Sequence, residues 1–235
     1  MLGPTRYLPA PVLAAWDETG AFRALRLALP EEEARAHVRP GQLVKVHTQA
    51  GEGFFALASA PAADGHAELL VKRGGKVADA AIGGAAPGAS LATTAPFGKG
   101  FPVEEAAGRD VLLFAAGSGI APIRAVIQHL IAHREGFGRV TLFYGQRRGA
   151  EFAYRSEHLA WDRSGIRVVL CPSREEDAWQ GVRGRVQEVA RLLGFGGSTP
   201  EETVAFVAGM TAMVDDVKRT LAAAGVPPAR VHANF

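Results

Sequence analysis

The apolar positions of this chain follow two different patterns, one after the other. In the N-terminal part they fall in short runs, which turn residues such as Gly20, Pro40-Gly41 and Asp64-Gly65 separate. Short apolar runs at close spacing predict an antiparallel β-barrel or sandwich. We expect strands over residues 12–16, 22–29, 42–48, 54–58 and 68–72.

The pattern changes at Asp110, where strands begin to alternate with helices. Residues 111–116 form a continuous apolar run, which fits a strand buried on both faces. From Ile123 to Ile131 the apolar residues recur at helical spacing. Further strands are expected over 140–144, 167–171 and 204–208, and further helices over 151–161, 182–193 and 214–221. This alternation is typical of an α/β domain with a doubly wound parallel sheet.

A glycine-rich segment precedes the change of pattern. Residues 73–100 hold seven glycines, so they form either a surface loop or backbone shaped to lie close to a ligand. The letters FGKGFP at residues 97–102 end this segment, and we place the domain boundary after them. The sequence therefore predicts an antiparallel β-barrel over 1–102 and an α/β domain over 103–235.

The first strand of the α/β half leads into Gly117-Ser118-Gly119 and then directly into a helix. Glycines at such a turn let the backbone approach a pyrophosphate, and the helix N-terminus adds partial positive charge. Pro122 stands where a third glycine is common, but proline suits the first turn of a helix. We therefore predict a nucleotide site here, and the alternative is a turn with only a structural role.

Arginines follow the next two strands of the predicted sheet. Arg147 and Arg174 come just after strands, and Arg185 lies at the start of a helix. Each arginine could be an ordinary surface charge. Together they suit a 2′-phosphate, because guanidinium groups bind phosphate through charge-assisted hydrogen bonds. The sequence therefore favours NADP(H) over NAD(H).

Composition and charge argue against several other functions. The net charge is only +2 and the basic residues are scattered, so we expect no nucleic-acid binding. The single cysteine, Cys171, cannot form an internal disulfide or hold an iron–sulfur cluster. His129 and His133 lie one helical turn apart without a third ligand, so no metal site is assigned. No apolar run is long enough for a signal peptide or a membrane span, so we expect a cytoplasmic protein.

Several motifs resemble those of the ferredoxin–NADP reductase superfamily, whose members pair a flavin-binding β-barrel with a nucleotide-binding α/β domain. Residues 54–61 (FFALASAP) resemble the flavin motif R-x-Y-[ST]-x-x-S, and residues 95–98 (APFG) resemble G-P-[FY]-G. Residues 117–122 (GSGIAP) resemble G-[TS]-G-I-[AST]-P, and Gly209-Met210 resembles a later nucleotide motif. The nearest pattern is that of a plant plastid group of FAD/NAD(P)-binding oxidoreductase-like proteins.

The resemblance implies that the barrel binds FAD and that the α/β domain binds NADP or NAD. It implies FAD contacts from Phe55, Leu57, Ser59, Val71, Lys72, Gly75, Val77 and Ala78, with Phe235 covering the flavin face that the nicotinamide reaches. It implies nucleotide contacts from Gly117, Ser118, Gly119, Ile120 and Pro122, from Gly209 and Met210 beside the nicotinamide, and from Arg147, Arg174 and Arg185 near the adenosine end.

The sequence departs from the family pattern at positions that usually carry polar groups. Gly53 stands where the motif has an arginine for the flavin pyrophosphate, and Ala56 and Ala78 stand where Ser or Thr is common. Lys72, Arg73 and Lys76 could supply charge to the pyrophosphate instead, alongside backbone N–H groups of residues 75–78. The flavin assignment therefore depends on the fold and the backbone more than on side chains.

These observations predict an FAD-dependent NAD(P)H oxidoreductase. The resemblance implies that hydride passes between the nicotinamide and the flavin, and that electrons then reach an acceptor, protein or small molecule, that the sequence does not identify. No residue is assigned as a catalytic acid or base. The alternative is a catalytically weak or inactive module that binds a nucleotide or flavin and acts through regulation or a partner. A third interpretation is an electron-transfer subunit of a larger enzyme, and the sequence does not fix the oligomeric state.

Overall fold

The computed structural model describes residues 5–174 and 179–234, and its first half is a six-stranded antiparallel sheet. The strands are β1 (Leu8–Thr19), β2 (Phe22–Ala28), β3 (Leu43–Thr48), β4 (Gly51–Ala56), β5 (His66–Lys72) and β6 (Ser90–Thr93). Their order in the sheet is β4-β3-β6-β1-β2-β5. A bridge between Leu57 and Leu69 joins the end of β4 to β5, which closes the sheet into a barrel.

Two short helices accompany the barrel, α1 (Glu31–Ala34) and α2 (Lys76–Gly83). Residues 73–100, where the sequence suggested a loop or ligand-shaped backbone, contain both α2 and β6. The many glycines hid these elements, because glycine is unfavourable in helices and strands by propensity alone. Tertiary packing forms them nevertheless, since Ala81 and Ile82 of α2 and Leu91 of β6 are buried in the barrel core.

The second half is a five-stranded parallel sheet with helices between its strands. The strands are β7 (Asp110–Ala116), β8 (Val140–Gln146), β9 (Ile166–Pro172), β10 (Thr203–Ala208) and β11 (Val231–Ala233). The helices are α3 (Ile120–Ala132), α4 (Arg155–Arg163), α5 (Val186–Leu192) and α6 (Thr211–Ala223). The strand order is β11-β10-β7-β8-β9, and every neighbouring pair is parallel.

Helices cover both faces of the parallel sheet. One hydrophobic cluster contains Ile127 of α3 and Trp161 of α4, and a separate cluster contains Val189 of α5 and Val217 of α6. The predicted barrel followed by a doubly wound α/β domain is therefore confirmed. The barrel strands end at residue 93 and the parallel strands begin at residue 110, so the boundary after residue 102 stays a prediction within that interval. Within the described ranges, no helix combines the length and hydropathy that a membrane span requires.

The two domains share one hydrophobic cluster rather than meeting through a thin linker. Phe22 and Ala58 of the barrel are buried in the same cluster as Leu113 and Ile120 of the α/β domain. Phe101 and Phe206 also meet edge to face, with ring centroids 5.3 Å apart. Burial of aromatic surface of this kind stabilises an interface, so the barrel and the α/β domain hold a fixed relative position.

Candidate functional site

The first candidate site lies at the carboxyl ends of β7 and β10. The chain leaves β7 on one side towards β8 and β9, and it returns on the other side through β10 and β11. Ala115 and Ala208 pair at this point, and glycines follow both strands. Ligands of open α/β sheets bind in the crevice at such a switch of strand order.

The turn Gly117–Gly119 forms the floor of this crevice. Gly117 has a φ of +59°, and a Cβ atom added to it would meet nothing within 4 Å, so its backbone is open to a ligand. A Cβ on Gly119 would lie 2.2 Å from the carbonyl oxygen of Ala208, so only glycine lets the turn approach β10 this closely. Pro122 is the third residue of α3 and lies in its first turn, so the proline is accommodated at the helix start and does not interrupt it.

The start of α3 fits the phosphates of a nicotinamide nucleotide. The N–H of Ile120 already donates to the carbonyl oxygens of Gly117 and Ser118, so the helical turn continues back into Gly117–Gly119. The N–H groups that lack acceptors within the helix, and the positive end of its dipole, therefore lie at this glycine turn. Ser118 is exposed beside them, whereas the side chains of Ile120 and Pro122 are buried in the protein. Ile120 and Pro122 could therefore contact a nucleotide only through backbone atoms, and not through their side chains.

Gly209 and Met210 lie on the β10 side of the same crevice. A Cβ on Gly209 would meet Met213 Cε at 2.8 Å and Ala116 Cβ at 3.3 Å, so the backbone passes close to β7. Met210 is 74% exposed, which leaves its apolar side chain available to a ligand. The structure therefore brings the two glycine motifs of the sequence together at one edge of the sheet.

The three arginines lie along the β8–β9 side of this edge. Arg174 N–H donates to the carbonyl of Arg147 at 2.8 Å, which places the two residues side by side. Arg185 immediately precedes α5, whose Val186 packs against Gly145 at the end of β8. All three side chains are exposed, and among the described residues none of them forms an ion pair with a carboxylate.

The second candidate site is formed by the end of β4 and the start of α2. Gly75 precedes the helix, and Lys72, Gly75 and Lys76 are exposed. The first-turn N–H groups of α2, residues 76–78, lack acceptors within the helix. Together with the lysines they fit the pyrophosphate of FAD through backbone donors and positive charge.

The barrel has no empty space beside Gly53 for a larger side chain. A Cβ at this position would lie 3.0 Å from Val77 Cγ1 and 3.1 Å from Phe55 Cε2. Phe55 and Val77 are half-buried and already fill the space beside the glycine. The barrel therefore replaces the arginine of the family motif with apolar packing, and Ala78 likewise presents no hydroxyl.

Several predicted flavin contacts need correction. Leu57 and Val71 are 0% and 1% exposed, and both side chains lie in the barrel core, so they do not line an open surface. Ser59 is buried, and its hydroxyl accepts a hydrogen bond from the N–H of Glu68 at 2.9 Å. The side chains of Leu57 and Val71 pack in the core and the Ser59 hydroxyl is engaged by Glu68, so only the backbone of these residues could contact a cofactor. Phe235 lies outside the described residues, but Asn234 before it donates to the carbonyl of Gly41 at 2.7 Å.

The remaining candidate groups have structural explanations. Burial raises the pKa of the Cys171 thiol to about 12, so this residue stays a neutral thiol in its strand. His129 and His133 have ring centroids 4.5 Å apart. Across the ranges that the structure covers, no group of three or more His, Cys, Asp or Glu residues is arranged to hold a metal ion.

Sequence reasoning missed Arg124, a buried residue on α3 that contacts both domains. Its guanidinium donates to the carbonyl of Ala58 and to the carboxylates of Glu68 and Glu157. The available signal was one charge inside an otherwise apolar stretch, residues 120–127. A charge in such a stretch indicates a buried ion pair, but sequence alone does not identify its partners.

Known oxidoreductases resemble this chain in sequence. Residues 113–219 match the family model described as oxidoreductase NAD-binding domain. The chain is 27% identical over 219 residues to sulfhydrogenase 1 subunit gamma of Pyrococcus furiosus, which covers 91% of this chain and 73% of that protein. It is 29% identical over 199 residues to the ferredoxin–NAD(+) reductase component of the alkene monooxygenase system of Xanthobacter autotrophicus, covering 83% of this chain and 60% of the relative.

Solved structures extend the similarity to nearly the whole chain. The ferredoxin reductase in carbazole 1,9a-dioxygenase superimposes with a TM-score of 0.81 at 25% identity, covering 98% of this chain and 69% of the other. The relatives come mostly from bacteria and archaea, so the plant plastid group that the sequence suggested is not supported as the nearest one. The sequence matches and the two-domain fold together show that this chain is similar to ferredoxin reductase components and that it contains a region like an oxidoreductase NAD-binding domain.

Proposed function

We propose that the protein is an FAD-dependent NAD(P)H oxidoreductase that passes electrons from a nicotinamide nucleotide to an acceptor protein. The observation that carries this proposal is the contact between β5 of the barrel and the turn Gly117–Gly119. Because β5 leads through Lys72 towards α2, this contact supports a flavin site and a nucleotide site on the two sides of one domain junction. Two cofactors can exchange a hydride only when the fold holds their reactive atoms in contact.

The chain's own residues supply binding and orientation rather than acid–base chemistry. When bound, FAD would take two electrons from the nicotinamide as a hydride and release them to an acceptor. The ring of Phe55 and the first turn of α2 would hold the flavin, and the turn Gly117–Gly119 with Gly209 and Met210 would hold the nucleotide. Phe235 stays a predicted cover for the flavin face.

A protein acceptor is proposed because of what the relatives are. The proteins named above are a subunit of a sulfhydrogenase, a ferredoxin reductase component of a monooxygenase system and a ferredoxin reductase in a dioxygenase. Each of them is one component of a larger electron-transfer system. We infer that this chain works in the same way, as the component that receives electrons from the nucleotide.

Turnover by the purified protein tests this proposal. After loading with FAD, the protein should oxidise NADPH with ferricyanide as an artificial acceptor, and the rate should vanish when FAD is removed. A preparation that takes up no FAD, or that binds FAD without oxidising NADPH or NADH, would favour the alternative of a regulatory or partner-binding module. The observation that favours this alternative is the apolar packing around Gly53, which replaces the arginine of the flavin motif.

We further propose that NADPH is preferred over NADH, through Arg147, Arg174 and Arg185. Replacing Arg147 and Arg174 together by glutamine should raise the KM for NADPH roughly tenfold or more and leave the KM for NADH within about twofold, because only NADPH carries the 2′-phosphate. The matched control is Arg163→Gln on α4, an exposed arginine away from the carboxyl edge. An equal rise of both KM values in the double variant would contradict this assignment.

A further inference from the structure

A buried arginine at the domain junction serves neither candidate site directly. Only 6% of the surface of Arg124 is exposed, although the residue lies on the nucleotide-domain helix α3. Burying a guanidinium costs free energy unless its N–H groups and its charge are matched by partners. The partners of Arg124 therefore indicate the role of this buried charge.

The partners of Arg124 come from both domains. Nη1 donates to the carbonyl oxygen of Ala58 and to Glu68 Oε2, both in the barrel and both at 2.7 Å. Nε and Nη2 donate to the carboxylate of Glu157 on α4 at 2.8–3.0 Å. The guanidinium carbon also lies 4.6 Å from the centre of the Tyr154 ring, a cation–π contact.

These partners keep the arginine charged inside the protein. Burial by itself would lower the pKa of Arg124, but the hydrogen bond to Glu157 and the nearby carboxylates of Glu68 and Glu157 raise this pKa above its ordinary value. The guanidinium therefore keeps its charge and its full set of donors inside the protein. Such a set of bonds can act as a mechanical link between two elements.

The barrel partners of Arg124, and Arg124 itself, lie next to segments that contain candidate cofactor contacts. Ala58 lies in the flavin segment, residues 55–59, and Glu68 holds that segment because Ala58 N–H donates to the Glu68 carbonyl at 2.7 Å. Arg124 itself lies one helical turn after the first residue of α3, which begins at the turn Gly117–Gly119. The helix transmits any displacement of Arg124 to that turn, because backbone hydrogen bonds make it rigid along its axis.

We propose that Arg124 is a positioning residue that sets the separation between the flavin site and the nicotinamide site. This proposal rests on the function proposed above. One guanidinium fixes the flavin segment, the nucleotide-binding helix and α4 relative to one another. A second bond beside it supports the same geometry, since the N–H of Tyr154 donates to the barrel carboxylate of Glu18 at 2.6 Å.

The variant Arg124→Lys tests the proposal, since lysine keeps the charge but cannot form the planar fork that holds three partners. We expect the rate of flavin reduction at saturating NADPH to fall roughly tenfold or more, as when reacting groups are slightly misplaced. FAD content and the Kd for NADP⁺ should stay within about twofold, because neither site loses a contact. A loss of rate without a loss of affinity is an effect that a purely structural residue would not produce.

The matched control is Arg26→Lys. Arg26 also binds the carboxylate of Glu68, at 2.7 Å, but it lies on β2 and stays within the barrel. This variant should leave the rate of flavin reduction within about twofold of the wild-type value. Equal rates in Arg124→Lys and Arg26→Lys, or a loss of rate that only follows lost FAD or lost nucleotide affinity, would overturn the proposal.

Two further measurements keep the proposal testable if a variant or the proposed function fails. Should Arg124→Lys not fold, Glu157→Gln removes the charge of the outer partner and should lower the same rate severalfold with unchanged affinities. Should the wild-type protein show no reduction by NADPH or NADH, the proposed function fails, and amide hydrogen exchange tests the link by itself. Arg124→Lys should then raise exchange in residues 56–59 and 117–121 together, whereas a rise confined to the barrel would contradict the link.

Discussion

The variant Gly119→Ala is expected to lower the rate of reduction by NADPH roughly 100-fold, the loss that a displacement of about 1 Å can cause. The added Cβ would lie 2.2 Å from the carbonyl oxygen and 2.5 Å from the carbonyl carbon of Ala208. Both atoms belong to the backbone of β10, which is buried in the sheet and cannot rotate away. The turn and the start of α3 must therefore move off the strand, and the phosphate site moves with them.

Two measurements separate this effect from general destabilisation. The FAD content of Gly119→Ala should stay unchanged, because the proposed flavin site lies on the barrel, whereas the Kd for NADP⁺ should rise. Gly136→Ala is the matched control, since a Cβ there meets nothing within 4 Å and the residue follows the far end of α3. Wild-type affinity and rate in a folded Gly119→Ala protein would show that this turn is not part of the nucleotide site.

The variant Arg124→Met is expected to cost about 3 kcal/mol of unfolding free energy, the lower part of the range for removing one partner of a buried ion pair. It leaves the Ala58 carbonyl and the Glu68 carboxylate without their donor, and both are buried at the junction. Glu68 retains Arg26, which limits the loss. For a chain of this length the thermal midpoint should fall by roughly 6–12 °C.

A double variant checks the cause of this destabilisation. Adding Glu68→Leu to Arg124→Met removes a buried carboxylate that has lost one of its two arginine partners, so the double variant should be more stable than Arg124→Met alone. Arg26→Met, which removes a half-exposed partner of the same carboxylate, should cost about 1 kcal/mol or less. If Arg124→Met unfolded at the wild-type temperature, the buried network would not contribute to stability.

The periodicity of the sequence was sufficient to predict the α/β half. The continuous run at 111–116, the helical spacing that follows it and the proline at 122 predict β7, α3 and their connection, and the structure confirms all three. Local pattern decides these elements, since a buried parallel strand and an amphipathic helix leave different signatures. The three-residue strand β11 was missed, because it is too short to show any period.

The candidate sites were only partly predictable for a different physical reason. A motif indicates which residues lie near a ligand, but it does not show which side chains turn inward, and Leu57 and Val71 both face the barrel core. The role of Arg124 depends on partners 66 and 56 positions away in sequence, Ala58 and Glu68. Only the folded chain brings such residues together, so no local pattern could have indicated the link.

The most direct test of the whole account is the visible absorbance spectrum of the FAD-loaded protein under anaerobic conditions, before and after one equivalent of NADPH. If the barrel seats a flavin next to the nucleotide crevice, the yellow flavin band should bleach, faster with NADPH than with NADH, and recover when an oxidant is added. A protein that stays colourless after incubation with FAD and gel filtration, or whose flavin band persists with both nucleotides, would contradict the account.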